Sequence, residues 1–106
     1  MSEGRKNDGD KIRVDLFPPG VILDISEVLT FGAKKYEPRN WEKGIHWSRV
    51  YGAAMRHLLA WWGGEDRDPE TGLSHLAHAG CCITFLLEYL RTHPELDDRP
   101  GKKDGL

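Results

Sequence analysis

One segment limits what this chain can fold into. Between Leu73 and Leu90, apolar side chains cover almost the whole circumference of a helix. Leu73, Leu76, Ala77, Gly80, Ile83, Leu87 and Leu90 form one face, and Ala79, Cys82, Phe85, Leu86 and Tyr89 cover much of the rest. A helix apolar nearly all round must be buried nearly all round. The chain has 106 residues, enough for one small domain. Its other helical segments are too short to enclose such an element. The sequence therefore predicts an all-α fold of three main helices, with the bundle completed by homo-oligomerisation as a homodimer or homotetramer.

Local signals set the boundaries. Pro18-Pro19-Gly20 starts a first helix over about 20–35, with Val21, Ile25, Val28 and Leu29 on one face and Gly32 near its end. A loop over 36–46 is punctuated by Pro38 and Gly44. The second helix opens at Trp47-Ser48, with Ser48 as its N-cap, carries the stripe Val50, Ala54, Leu58 and Trp61, and ends at Gly63-Gly64. An acidic loop runs from Glu65 to Gly72. The third helix covers about 73–92, capped by Ser74 or Thr71 and stopped by Pro94. Residues 1–11 read as a flexible arm, 12–17 as extended, 12–93 as a single helical domain and 94–106 as a disordered tail.

Charge and hydropathy exclude several classes. A net charge of −2 argues against stable nucleic-acid binding and against an anionic membrane surface. The longest apolar stretch, Ala77 to Leu87, is well short of the ~20 residues that span a bilayer. The polar N-terminus does not read as a signal peptide. Cys81 and Cys82 are neighbours and cannot staple a fold, so a reduced, cytoplasmic protein is expected.

Two groups of residues could carry chemistry. His57, Glu65, Asp66, Asp68, His75 and His78 flank one inter-helix turn, and His75 and His78 share a helix face at i, i+3. Imidazoles with carboxylates form a ligand set for a divalent cation. Acidic loops are also commonly just solvated. The second group is cationic: Lys34, Lys35, Arg39, Lys43, Arg49 and Arg56, with Asn40 and Trp41 among them. Lysine and arginine neutralise phosphates, Asn40 could read a base edge, and Trp41 could stack on a base or anchor the core. Cys82 on the stripe of His75 and His78 would suit a structural zinc, but no second cysteine has suitable spacing.

Three segments together carry a family resemblance. They are Lys11-Ile12-Arg13-Val14-Asp15-Leu16-Phe17-Pro18-Pro19; Phe31-Gly32-Ala33-Lys34-Lys35-Tyr36 with Arg39-Asn40-Trp41-Glu42-Lys43-Gly44; and the run from Arg56-His57 through Gly64-Glu65-Asp66-Arg67-Asp68-Pro69-Glu70-Thr71-Gly72 to His75-Leu76-Ala77-His78-Ala79. Over about 9–92 the chain resembles the phage-associated dATP/dGTP diphosphohydrolase (MazZ-like) domain. That family is associated with the MazG-like enzymes, all-α proteins that cleave nucleoside triphosphates to monophosphate and pyrophosphate. The central helices here lack the Glu-x-x-Glu and Glu-x-x-Asp pairs of that wider group, and His75-x-x-His78 stands where the second would fall.

The resemblance implies metal-dependent hydrolysis of purine deoxynucleoside triphosphates in phage-related nucleotide metabolism. His57, Glu65 and Asp68 are the expected catalytic residues, and Lys34, Lys35, Arg39, Asn40, Trp41 and Arg56 the expected substrate contacts. Mg²⁺ or Mn²⁺ is expected on His57, Glu65, Asp66, Asp68, His75 and His78, with another divalent transition metal possible because imidazole favours it. A histidine–aspartate-type phosphohydrolase is a further option, although no adjacent His-Asp pair occurs. A non-catalytic nucleotide-binding or interaction module of phage replication is the alternative from a different class.

Overall fold

The computed structural model describes residues 4–103. Three helices carry the fold: α1 (Pro19–Lys35), α2 (Trp47–Trp62) and α3 (His75–Thr92). Among the described residues there is no strand, only an isolated antiparallel bridge between Arg67 and Ser74. Among the described residues no helix is long and apolar enough to cross a membrane.

α2 and α3, joined by the turn between them, form a packed helix pair, and α1 packs against α3. The core of the pair is Trp47 and Val50 of α2 against Tyr89 of α3, with Trp41, Ile45, Cys82, Phe85, Leu86 and Leu96 packed around them. Tyr89 is fully buried, and its hydroxyl donates to the Trp41 carbonyl, so it ties the loop before α2 to α3. Gly80 lets α1 approach α3 closely. A Cβ there would lie 3.0 Å from Ile25 Cδ1.

Several local expectations are corrected. Residues 12–17 are not simply extended, because Val14–Leu16 form a 3-10 turn. The loop after α1 contains another, Asn40–Lys43. Ser48 does not cap α2. The N-cap is His46, two residues earlier, and the Asp98 carboxylate accepts from both the backbone N–H and the hydroxyl of Ser48. A side chain fifty residues away thus does the work expected of a local one. The stretch expected to be disordered from residue 94 holds a 3-10 turn at Pro94–Leu96, and Arg99 beyond it pairs with Asp97 and covers the Trp47 ring. The ends of the expected arm (1–3) and tail (104–106) lie outside the described residues.

Ser74 is the N-cap of α3, accepting from the Leu76 N–H at 3.1 Å. α3 buries Ala77, Ala79, Cys81 and Tyr89. Leu76, Ile83, Leu87 and Leu90, a second stripe of the same helix, remain 44–56% exposed. Within one chain, the helix that should be buried all round is covered on one side.

Candidate metal and nucleotide site

The turn between α2 and α3 is stitched by its own backbone. Gly64 and Gly72 take positive φ values of 103° and 74°, a conformation that costs glycine little. Asp68 exchanges backbone hydrogen bonds with Leu73 and Gly72, and the His75 N–H donates to the Asp66 carbonyl. Asp68 Oδ1 accepts from the N–H groups of Glu70 and Thr71. This leaves Asp68 Oδ2 facing His57 Nδ1 at 3.7 Å.

Three imidazoles meet this carboxylate. His57 projects from α2, and His75 and His78 from the first turn of α3. The His57 and His78 rings stack, with centroids 4.5 Å apart and an interplanar angle of 7°. Nδ1 of His57 and Nδ1 of His75 lie 2.9 Å apart. On its other side, His75 Nε2 is 2.7 Å from Glu65 Oε1. With Glu65 accepting from Nε2–H, a neutral His75 turns its Nδ1 lone pair toward His57. His78 Nε2 is 2.7 Å from the Thr71 hydroxyl.

Burial lowers the pKa of both His57 and His78, and the neighbouring imidazoles lower it further against the opposing pull of Asp68. For Asp68 burial acts upward, but the two backbone N–H donors and the imidazoles outweigh it and hold the carboxyl below its usual range. His57 and His78 are therefore neutral imidazoles and Asp68 an ionised carboxylate near pH 7, the protonation states that ligate metals. One donor atom each from His57, Asp68 and His75 all lie within 4.8 Å of one another. The chemistry of this donor set fits a divalent transition ion, and Glu65 stands behind His75 as the outer partner that orients a ligating imidazole.

A cavity of about 700 Å³ opens over this cluster. His57, Asp68, Thr71 and His78 line one part of it, and Trp41 and Phe85 form an aromatic wall. The Trp41 and Phe85 rings stack at 4.5 Å with an 11° interplanar angle. Lys35, Arg39 and Asn40 line it as well. Lys35 bridges to Glu70 at 3.1 Å, tying the end of α1 to the acidic turn. Arg39 pairs with Glu42, and Lys43 with Glu37.

The structure thus gathers His57, Asp68, His78, Lys35, Arg39, Asn40 and Trp41 around one space, with His75 directly behind His57. It leaves others apart. Glu65 touches His75 rather than the cavity, and Asp66 contributes its backbone carbonyl. Lys34 is outside the lining, and Arg56 lines a separate groove. Trp41 is a core anchor and a cavity wall at once. Thr71, which the sequence offers only as a candidate cap, and Phe85, which it offers only as a packing residue, also line the cavity. Phe85 stands seven residues after His78 on the same helical face, a spacing that could have found it. Cys81 is buried, with its thiol pushed up to about 12, which suits packing rather than ligation.

Fold and site together define an all-α module with a histidine–carboxylate cluster beneath an aromatic-walled, cation-edged cavity. A family model described as dATP/dGTP diphosphohydrolase, N-terminal, matches residues 1–99. The chain is also 36% identical over 96 residues to a curated dATP/dGTP diphosphohydrolase of Salmonella phage PMBT28, covering 91% of this chain. It belongs to the dATP/dGTP diphosphohydrolase N-terminal family. The chain spans about a third of the length of that curated relative, 33%. No solved structure matches it.

Proposed function

We propose that this chain is the nucleotide-handling module of a divalent-metal-dependent hydrolase that converts dATP and dGTP to monophosphate and pyrophosphate in phage-related metabolism. The observation that carries the reading is the convergence of His57, Asp68 and His75 within 4.8 Å beside a cavity walled by Trp41 and edged by Lys35 and Arg39. Both comparisons support the substrate class by name.

His57, Asp68 and His75 would hold the cation. Two imidazoles favour Mn²⁺ or another transition ion over Mg²⁺, which prefers oxygen. When bound, such an ion supplies Lewis-acid polarisation of phosphate oxygens and a lowered pKa for water. The chain's own residues do the rest. Trp41 and Phe85 offer a flat apolar wall to a purine. Lys35 and Arg39 exchange their carboxylate partners for phosphate oxygens. His78, stacked on His57 and bonded to Thr71, would take a proton from an attacking water. The exposed stripe Leu76, Ile83, Leu87 and Leu90 is the surface on which copies would associate, and the expected setting is cytoplasmic.

A second reading has its own support. The matching family model is an N-terminal one, and the chain is a third of its relative's length, which fits a non-catalytic nucleotide-binding module. Product analysis decides. The chain, incubated with each of the four deoxynucleoside triphosphates and Mn²⁺ or Mg²⁺, is expected to release monophosphate and pyrophosphate from dATP and dGTP. Chelator and Asp68→Asn should both abolish the release. Nucleotide binding without turnover would establish the module reading instead, and neither binding nor turnover would overturn both.

A further inference from the structure

We propose that the chain has a second anion site, a groove on α2 that binds a phosphate-bearing small molecule through Arg49 and Arg56. The sequence holds eight arginines. Arg13, Arg39, Arg91 and Arg99 each pair with a neighbouring carboxylate, Arg67 donates to the Gly72 carbonyl, and Arg5 lies in the exposed N-terminal stretch. Among the described residues the side chains of Arg49 and Arg56 have neither an ion pair nor a hydrogen bond, and both line the same groove of about 400 Å³. Among the described residues no acidic side chain lines it. Asp98, which accepts from Ser48 at one end of the groove, is committed to that residue.

The two arginines stand seven positions apart, so both fall on one face of α2, ~10.5 Å apart along its axis. Gly52 lies between them and leaves room for the guanidinium of Arg56, whose Nη1 would stand 3.3 Å from a Cβ at that position. The floor is apolar: Ile45, Val50, Ala53, Cys82 and Phe85. Two unpaired forked donors above such a floor match a ligand with a phosphate head and a flat or apolar body. Ile45, Cys82 and Phe85 also border the front cavity, so they form a shared wall. An occupant of the groove would press on the Phe85 ring that supports Trp41. The site is separate from the His57–Asp68–His75 cluster, and its failure would leave the reading of that cluster intact.

The test follows the arginine Nε–H signals of the isotopically labelled full chain by NMR. The probes are inorganic pyrophosphate and deoxyguanosine monophosphate, each added at fixed ionic strength. Saturable shifts of the Arg49 and Arg56 signals are expected. They should persist in Asp68→Asn, and apparent affinity should fall at least tenfold in Arg49→Gln/Arg56→Gln, whose exposed positions leave the fold intact. Tighter binding of the nucleotide than of pyrophosphate would show that the floor is used, and equal binding would show that the anion alone is read. The proposal is overturned if neither probe gives saturable shifts, or if affinity is unchanged in the double variant.

Discussion

His57 and His78 show how a residue's surroundings decide its use. Both are pulled below the ordinary imidazole pKa by burial, whereas His93, bonded to the Glu95 carboxylate and the Glu42 carbonyl, is raised. The signs oppose each other in stability. Below about pH 6.5 the unfolded chain takes up protons that folded His57 and His78 refuse, so their contribution is full above that pH and is lost as pH falls toward their folded values. His93 contributes below pH 6.5 and loses its contribution as pH rises through its raised folded value. NMR titration should place the His57 and His78 midpoints below 6.5 and the His93 midpoint above it. Tyr89→Phe makes a second check at this scale. It strands the Trp41 carbonyl and should cost about 1 kcal/mol in denaturant unfolding. It should also weaken nucleotide binding, because Trp41 is both core and wall.

Among the elements, the connections specify as much as the helices do. α3 relies on one local cap, so Ser74→Ala should cost about 1 kcal/mol of unfolding free energy. Gly44 sits at φ 105°, where a Cβ would meet Leu96 Cδ1 at 2.6 Å and the His93 ring at 3.1 Å. Gly44→Ala should therefore be the more damaging change, lowering stability by roughly 1–3 kcal/mol. The helices were legible because their periodicity, prolines and glycines are local signals. Asp98 as the cap of α2 was not, because nothing in a fifty-residue separation marks the pairing. The site was legible in part for the same reason. The turn from Glu65 to His78 keeps its residues close by chain connectivity alone. The sorting of Lys35 and Arg39 into the cavity, and of Lys34 and Arg56 out of it, depends on which way α1 and α2 face once packed.

For the whole molecule, the unshared apolar surface is the dominant fact. Leu76, Ile83, Leu87 and Leu90 leave on α3 a stripe of the kind that marks association surfaces. Light scattering coupled to size exclusion should show a dimer or tetramer, and Leu87→Glu should shift it to monomer with helicity retained. A monomeric wild-type chain would contradict that expectation without touching the site. The account as a whole stands on the imidazole–carboxylate cluster as a cation site. Stoichiometric Mn²⁺ added at pH 7.5 should broaden the ring signals of His57, His75 and the stacked His78 before those of His46 and His93, and Asp68→Asn should weaken the effect at least tenfold. Ring signals that stay sharp at one equivalent, or that broaden equally with those of His46 and His93, would contradict it.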